Sequence, residues 1–126
     1  MNRIHTEPTI KTPEILFDVE NNQFFIKGRS LPENAKTFYR QYIDWLSRML
    51  KNNHIETDFV FDLIYFNSAS TKMVLDILLI LREANENGHK VNVIWKYEPD
   101  DEDLMSAGKE FEEMINMPIA LEISDH

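Results

Sequence analysis

The stretch "DFVFDLIYF", residues 58–66, constrains the fold of this chain more than any other. It is almost entirely apolar, β-branched or aromatic. That composition predicts a central strand covered on both faces, and so a sheet carrying helices. Asp62 interrupts the run. It reads either as a strand residue near the sheet surface or in an ion pair, or as a carboxylate near the functional end of the sheet.

The segments around this strand alternate in type. "ILFDV" (residues 15–19) and "QFFIK" (23–27) are β-prone runs separated by "ENN". Asn tolerates the positive φ of tight turns, so the two predict a hairpin, with Gly28 ending it. "SLPE" follows as a helix start, with Ser30 as cap and Glu33 completing a capping box. Phe38, Tyr42, Trp45, Leu46, Met49 and Leu50 then recur at helical spacing, and this helix is expected to end near residues 52–53.

A second helix is predicted from about Ser70 to Asn87. Met73, Val74, Ile77, Leu78 and Leu81 form its core stripe, and Gly88 terminates it. "KVNVIWKY" (90–97) alternates as a strand. "DDEDLMSAGKEFEEMI" opens on acidic residues that suit a helix start. "PIALEI" (118–123) ends the chain as an edge strand, with Pro118 at its start.

The expected class is therefore α/β, a mixed central sheet in the order β-β-α-β-α-β-α-β, with the later strands parallel. Residues 1–13, with Pro8 and Pro13 and no periodicity, read as a flexible arm, and 14–126 as a single domain.

Composition excludes several classes of function. Thirteen Lys and Arg against twenty-two Asp and Glu give a formal charge of −9, which argues against nucleic acid as a partner. No apolar run reaches the roughly 20 residues of a membrane span. The absence of cysteine removes disulfides and thiolate chemistry, and with the polar first residues it predicts a cytoplasmic protein.

Only three glycines occur, Gly28, Gly88 and Gly108, and they are dispersed, so no phosphate-cradling loop or bound cofactor is expected. His5, His54, His89 and His126 show no second histidine or carboxylate at metal-ligand spacing on a helix face, so no metal is expected. "DDED" (100–103) lacks the alternation and glycine of a calcium loop and reads as a solvated helix start. No Ser/His/Asp relay is evident, and the chain is expected not to be an enzyme.

What remains is "YFNSASTKMVLDIL", residues 65–78. Here three hydroxyls, Ser68, Ser70 and Thr71, stand where the central strand hands over to the second helix. One serine as a helix cap is the simplest explanation, and Ser70 or Ser68 would serve. A cap does not require three hydroxyls, nor a place at the carboxyl end of a central strand, where open α/β sheets meet ligands and partners. The alternative is a phosphorylation switch. A phosphate there would be held by the helix N-terminus and would place nearly two negative charges on a docking face, with Lys72 able to pair with it.

These residues resemble the SiaC-type regulatory phosphoproteins, small bacterial domains with a STAS-like fold similar to anti-sigma factor antagonists. The resemblance covers nearly the whole chain. It rests on "LPEN" (31–34), "YIDWL" (42–46), "YFNSASTKMVLDIL" (65–78) and "GHKVNVIWKY" (88–97). It implies a partner-switching protein whose dedicated serine/threonine kinase modifies the hydroxyl after the motif's Asn, with a PP2C-type phosphatase reversing the step. It implies further that the unphosphorylated form binds and activates a diguanylate cyclase, controlling cyclic di-GMP, aggregation and biofilm formation.

Carried over residue by residue, the acceptor is Ser68, immediately after Asn67. Family members can carry threonine there, so serine is a mild departure. Ser70 and Thr71 are rival acceptors, and Asn67, Ser68, Ser70, Thr71 and Lys72 are the expected partner-binding residues. An anti-sigma factor antagonist acting on transcription uses the same arrangement and remains a second reading. A small enzyme or ligand-binding domain built on Asp62 and the hydroxyls is a third.

Overall fold

The computed structural model describes residues 2–125 and shows six strands and three helices. They are β1 (Arg3–Thr6), β2 (Glu14–Asp18), β3 (Gln23–Ser30), α1 (Ala35–Asn52), β4 (Glu56–Phe66), α2 (Ser68–Glu86), β5 (Lys90–Tyr97), α3 (Glu102–Ile115) and β6 (Ile119–Ile123). The strands lie in chain order across one mixed sheet. β1, β2 and β3 are antiparallel neighbours, while β3 through β6 run parallel. The α/β class, the helix count and the parallel second half agree with expectation.

One face of the sheet makes the core. Phe17, Phe24, Phe59, Val93 and Ile119 form one row across five strands, and Ile26, Phe61, Trp95 and Leu121 form another. Buried residues of all three helices pack into a single cluster with these rows. The other face differs. Leu16, Phe25, Val60, Ile94 and Ala120 make an apolar row that lies outside that cluster.

The next row on this face alternates in charge. Glu14 is opposite Lys27, which is opposite Asp62, and Lys96 is opposite Glu122. Opposite charges facing one another across neighbouring strands stabilise this face. The expectation that β4 is covered on both faces is therefore corrected, because the core cluster lies on one face. The high apolar content of 58–66 arises because a single row on the second face is also hydrophobic.

Three further expectations change. Part of the expected flexible arm is strand β1, pairing antiparallel with β2. The Arg3 guanidinium holds Asp18 at 3.3 Å, and Asn2 O accepts from Val19 N at 2.9 Å. Gly28 does not end the hairpin. At φ 116° it sits where the β3–β4 register shifts, and β3 continues to Ser30. Ser30 is not the cap of α1 either. It is fully buried, and Asn34 caps the helix by accepting from Thr37 N at 3.1 Å, which leaves Glu33 outside on an exposed loop.

Other local signals hold. Asn22 takes φ 53° in the β2–β3 turn, and Gly88 takes φ 97° just past the cap of α2. Asp101 caps α3 by accepting from Leu104 N, with Glu102 and Asp103 in the first turn. β6 lies at the sheet edge directly after Pro118.

Candidate functional site: the carboxyl end of β4 and the start of α2

β4 ends at Phe66, and α2 begins two residues later at Ser68, earlier than the sequence predicts. The cap is neither serine. Asn67, at φ −82° and ψ 172°, turns its side chain to accept from Ser70 N at 2.9 Å. Its own N–H donates to Ser30 O at 3.0 Å, so the turn is stitched to the end of β3. Asn67 thus satisfies one of the backbone donors that a helix start leaves free.

With Asn67 as cap, the three hydroxyls separate by exposure. Ser68 occupies the first helical position and is exposed. Ser70 is completely buried and donates to Ser30 O at 3.1 Å. Thr71 is half-buried and donates to Asn67 O at 3.3 Å. The expectation that Ser70 or Ser68 acts as the cap is corrected: Ser70 and Thr71 brace the turn from inside. Lys72 is exposed, with Nζ 3.5 Å from Asp76 one helical turn later.

Ser68 opens onto a groove of about 790 Å³ between α1 and α2. Ala35, Ile43, Ala69 and Met73 supply apolar surface there. Lys36, Arg40 and Lys72 contribute three cations to the groove's lining in a chain of net charge −9, and Glu33, Asp44 and Asp76 supply the opposing charge. The site suits a protein side chain or helix better than an enclosed small molecule.

The remaining polar candidates lie elsewhere. Asp62 is buried on the opposite face of the sheet and accepts from Ser124 Oγ at 2.9 Å, tying the end of the chain to β4. His54 and His89 stack with ring centroids 5.5 Å apart, and His89 Nδ1 accepts from Ile55 N. His126 lies outside the described residues.

His5 departs from expectation. Strand pairing that the sequence did not signal brings it against two carboxylates, Glu7 and Glu14. Beside the hairpin turn, the Asn21 side-chain amide and N–H hold the Asp18 carboxyl below its usual pKa. Among the described residues, no helix is long and apolar enough to cross a membrane.

The chain is similar to known proteins along nearly its whole length. It shares 32% identity over 125 residues, 99% of each chain, with an uncharacterised protein of Pseudomonas aeruginosa strain UCBPP-PA14. Its fold matches crystalline apo-SiaC from Pseudomonas aeruginosa with a TM-score of 0.86 and 32% identity, covering 97% of this chain and 99% of that one. It matches SiaC in complex with the diguanylate cyclase SiaD, of which SiaC is the activator, with a TM-score of 0.88 and 31% identity, covering 96% and 99%. Residues 6–124 match the model of the SiaC family regulatory phosphoproteins, and the chain belongs to that family.

Proposed function

We propose that this protein is a non-enzymatic signalling switch, phosphorylated at Ser68 by a serine/threonine kinase and restored by a PP2C-type phosphatase. In the unphosphorylated form it binds and activates a diguanylate cyclase, and so raises cyclic di-GMP and promotes aggregation and biofilm formation from within the cytoplasm. The observation that carries the choice of Ser68 is exposure: it is the one exposed hydroxyl among Ser68, Ser70 and Thr71. Family membership supports the phosphoprotein role, and the SiaC–SiaD complex supports a cyclase as the output.

The local physics fits a switch. Unphosphorylated, Ser68 is a small neutral group on the rim of a groove with an apolar floor. A phosphate there gains backbone donors and the positive end of α2. It also sets nearly two negative charges where a partner must desolvate the groove. Lys72, and Lys36 and Arg40 across the groove, are placed to draw that phosphate inward.

The test combines phosphosite mapping by mass spectrometry on protein from its own host with titration of a diguanylate cyclase. Phosphate is expected on Ser68. Ser68→Ala should bind the cyclase like the unmodified protein, and Ser68→Asp more weakly. Equal binding by both variants would falsify the switch at this residue.

A further inference from the structure

We propose that His5, Glu7 and Glu14 form a binding site for a divalent transition-metal cation of the zinc class, which clips β1 onto β2. One ligand atom from each of these side chains lies within 4.8 Å of the other two. The register explains the convergence. His5 is opposite Leu16 and Thr6 is opposite Ile15. Glu14 therefore projects from the same face as His5, and Glu7, one step past the last pair, faces Glu14.

That arrangement is electrostatically incomplete. Like charges directly opposite on neighbouring strands are destabilising. His5 Nε2 lies 2.9 Å from Glu14, and its Nδ1 lies 3.9 Å from Glu7. A neutral imidazole carries one N–H and so can donate to only one of the two carboxylates. Its other nitrogen then turns a lone pair toward the remaining acid.

Lys27 is opposite Glu14 on β3, two strands away from β1 and so remote from Glu7. Either a protonated imidazole or a bound cation removes the conflict. Imidazole with carboxylates is a donor set for zinc and its neighbours rather than for magnesium or calcium. Glu7 is 83% exposed, so its rotamer is free to close on an ion, with water completing the shell.

The test is zinc titration of the full chain by calorimetry at mildly alkaline pH, because a ligating imidazole must be neutral. Saturable binding is expected, with hydrogen exchange slowed in β1 on zinc addition. His5→Ala and Glu7→Gln should each weaken affinity by at least roughly tenfold, the lower bound seen even for outer-shell partners of metals. Glu7→Gln changes an exposed side chain and leaves the fold intact, and His54→Ala controls for the stacked histidine pair. No saturable binding, binding indifferent to Glu7→Gln, or binding lost with His54→Ala would each overturn the proposal.

Discussion

The Ser30 hydroxyl donates to Ser70 Oγ across 2.8 Å, in a position where neither residue reaches solvent. Ser70 in turn donates to the Ser30 carbonyl, and the Tyr39 hydroxyl completes the chain at 2.6 Å from Ser30 Oγ. Three elements, β3, α1 and α2, are joined by this network beneath the turn that presents Ser68. The hydroxyl cluster therefore divides its work, one side chain facing outward and another holding the turn from below.

Removing the inner hydroxyl should cost far more than removing the outer one. Ser70→Ala leaves the Ser30 donor buried without its acceptor, so a loss of about 1–3 kcal/mol is expected. Ser68→Ala changes an exposed position and should stay within about 0.5 kcal/mol of the parent. Urea unfolding of the two variants measures the difference, and equal losses would sink this division of roles.

Asn67 gives a second, separable effect. Asn67→Ala deletes the cap of α2 and should lower stability by about 1 kcal/mol, while Asn67→Asp keeps an acceptor at the same place and should cost little. Thermal unfolding of the pair isolates the cap from any role in partner binding.

Lys72 contributes little to folding. Its contact with Asp76 is exposed and spans 3.5 Å, so Lys72→Gln should change stability by less than about 0.5 kcal/mol. If the groove meets the cyclase, the same variant should slow association and flatten its salt dependence. Stopped-flow binding at two ionic strengths reads this directly.

The sequence made some of these features legible and hid others for physical reasons. Helices α1, α2 and α3 announce themselves through apolar spacing, and the β2–β3 turn through Asn22. Their determinants are local. Ser30 was misread as a cap because "SLPE" is a strong local signal. In the fold its hydroxyl is claimed by Tyr39 and by Ser70, forty residues later.

β1 is hard to read because four residues carry little periodicity, and their order comes from pairing with β2 across the connection at residues 7–13. The same pairing creates the His5 cluster. The sequence marks Asn67 and the hydroxyls as candidates, but not their division by exposure. Exposure at a helix start depends on what the neighbouring strand and helix cover.

Gly108 tests the packing of α3 on the sheet. A Cβ there would come within 2.6 Å of Trp95 Cδ1 and 2.8 Å of Leu121 Cδ2. Trp95 is fully buried, and its indole N–H donates to Leu104 O at 2.9 Å, so it has little room to yield. Overpacking of this kind costs about 1–3 kcal/mol. It outweighs the gain of about 1 kcal/mol in helix propensity when alanine replaces glycine. Gly108→Ala is therefore expected to be destabilised, with a shifted Trp95 emission, and an unchanged denaturation midpoint would show that α3 can slide away.

Tyr39 predicts the alkaline limit of the fold. Burial pushes its phenol up to about 12, against an ordinary value near 10, even though its hydrogen bond to Ser30 favours ionisation. The neutral phenol is thus preferred in the folded protein, and its contribution is fully present below about pH 10. Above that, the unfolded chain ionises while the native state does not, so stability falls until the native phenol also titrates near pH 12. A difference of about two pKa units corresponds to about 3 kcal/mol at most. Denaturant unfolding at pH values below and above 10 should show this loss in the parent protein. Tyr39→Phe should start less stable, because Ser30 loses a partner, and should then decline less steeply with alkali. A parallel decline in both proteins would assign the alkaline sensitivity to another group.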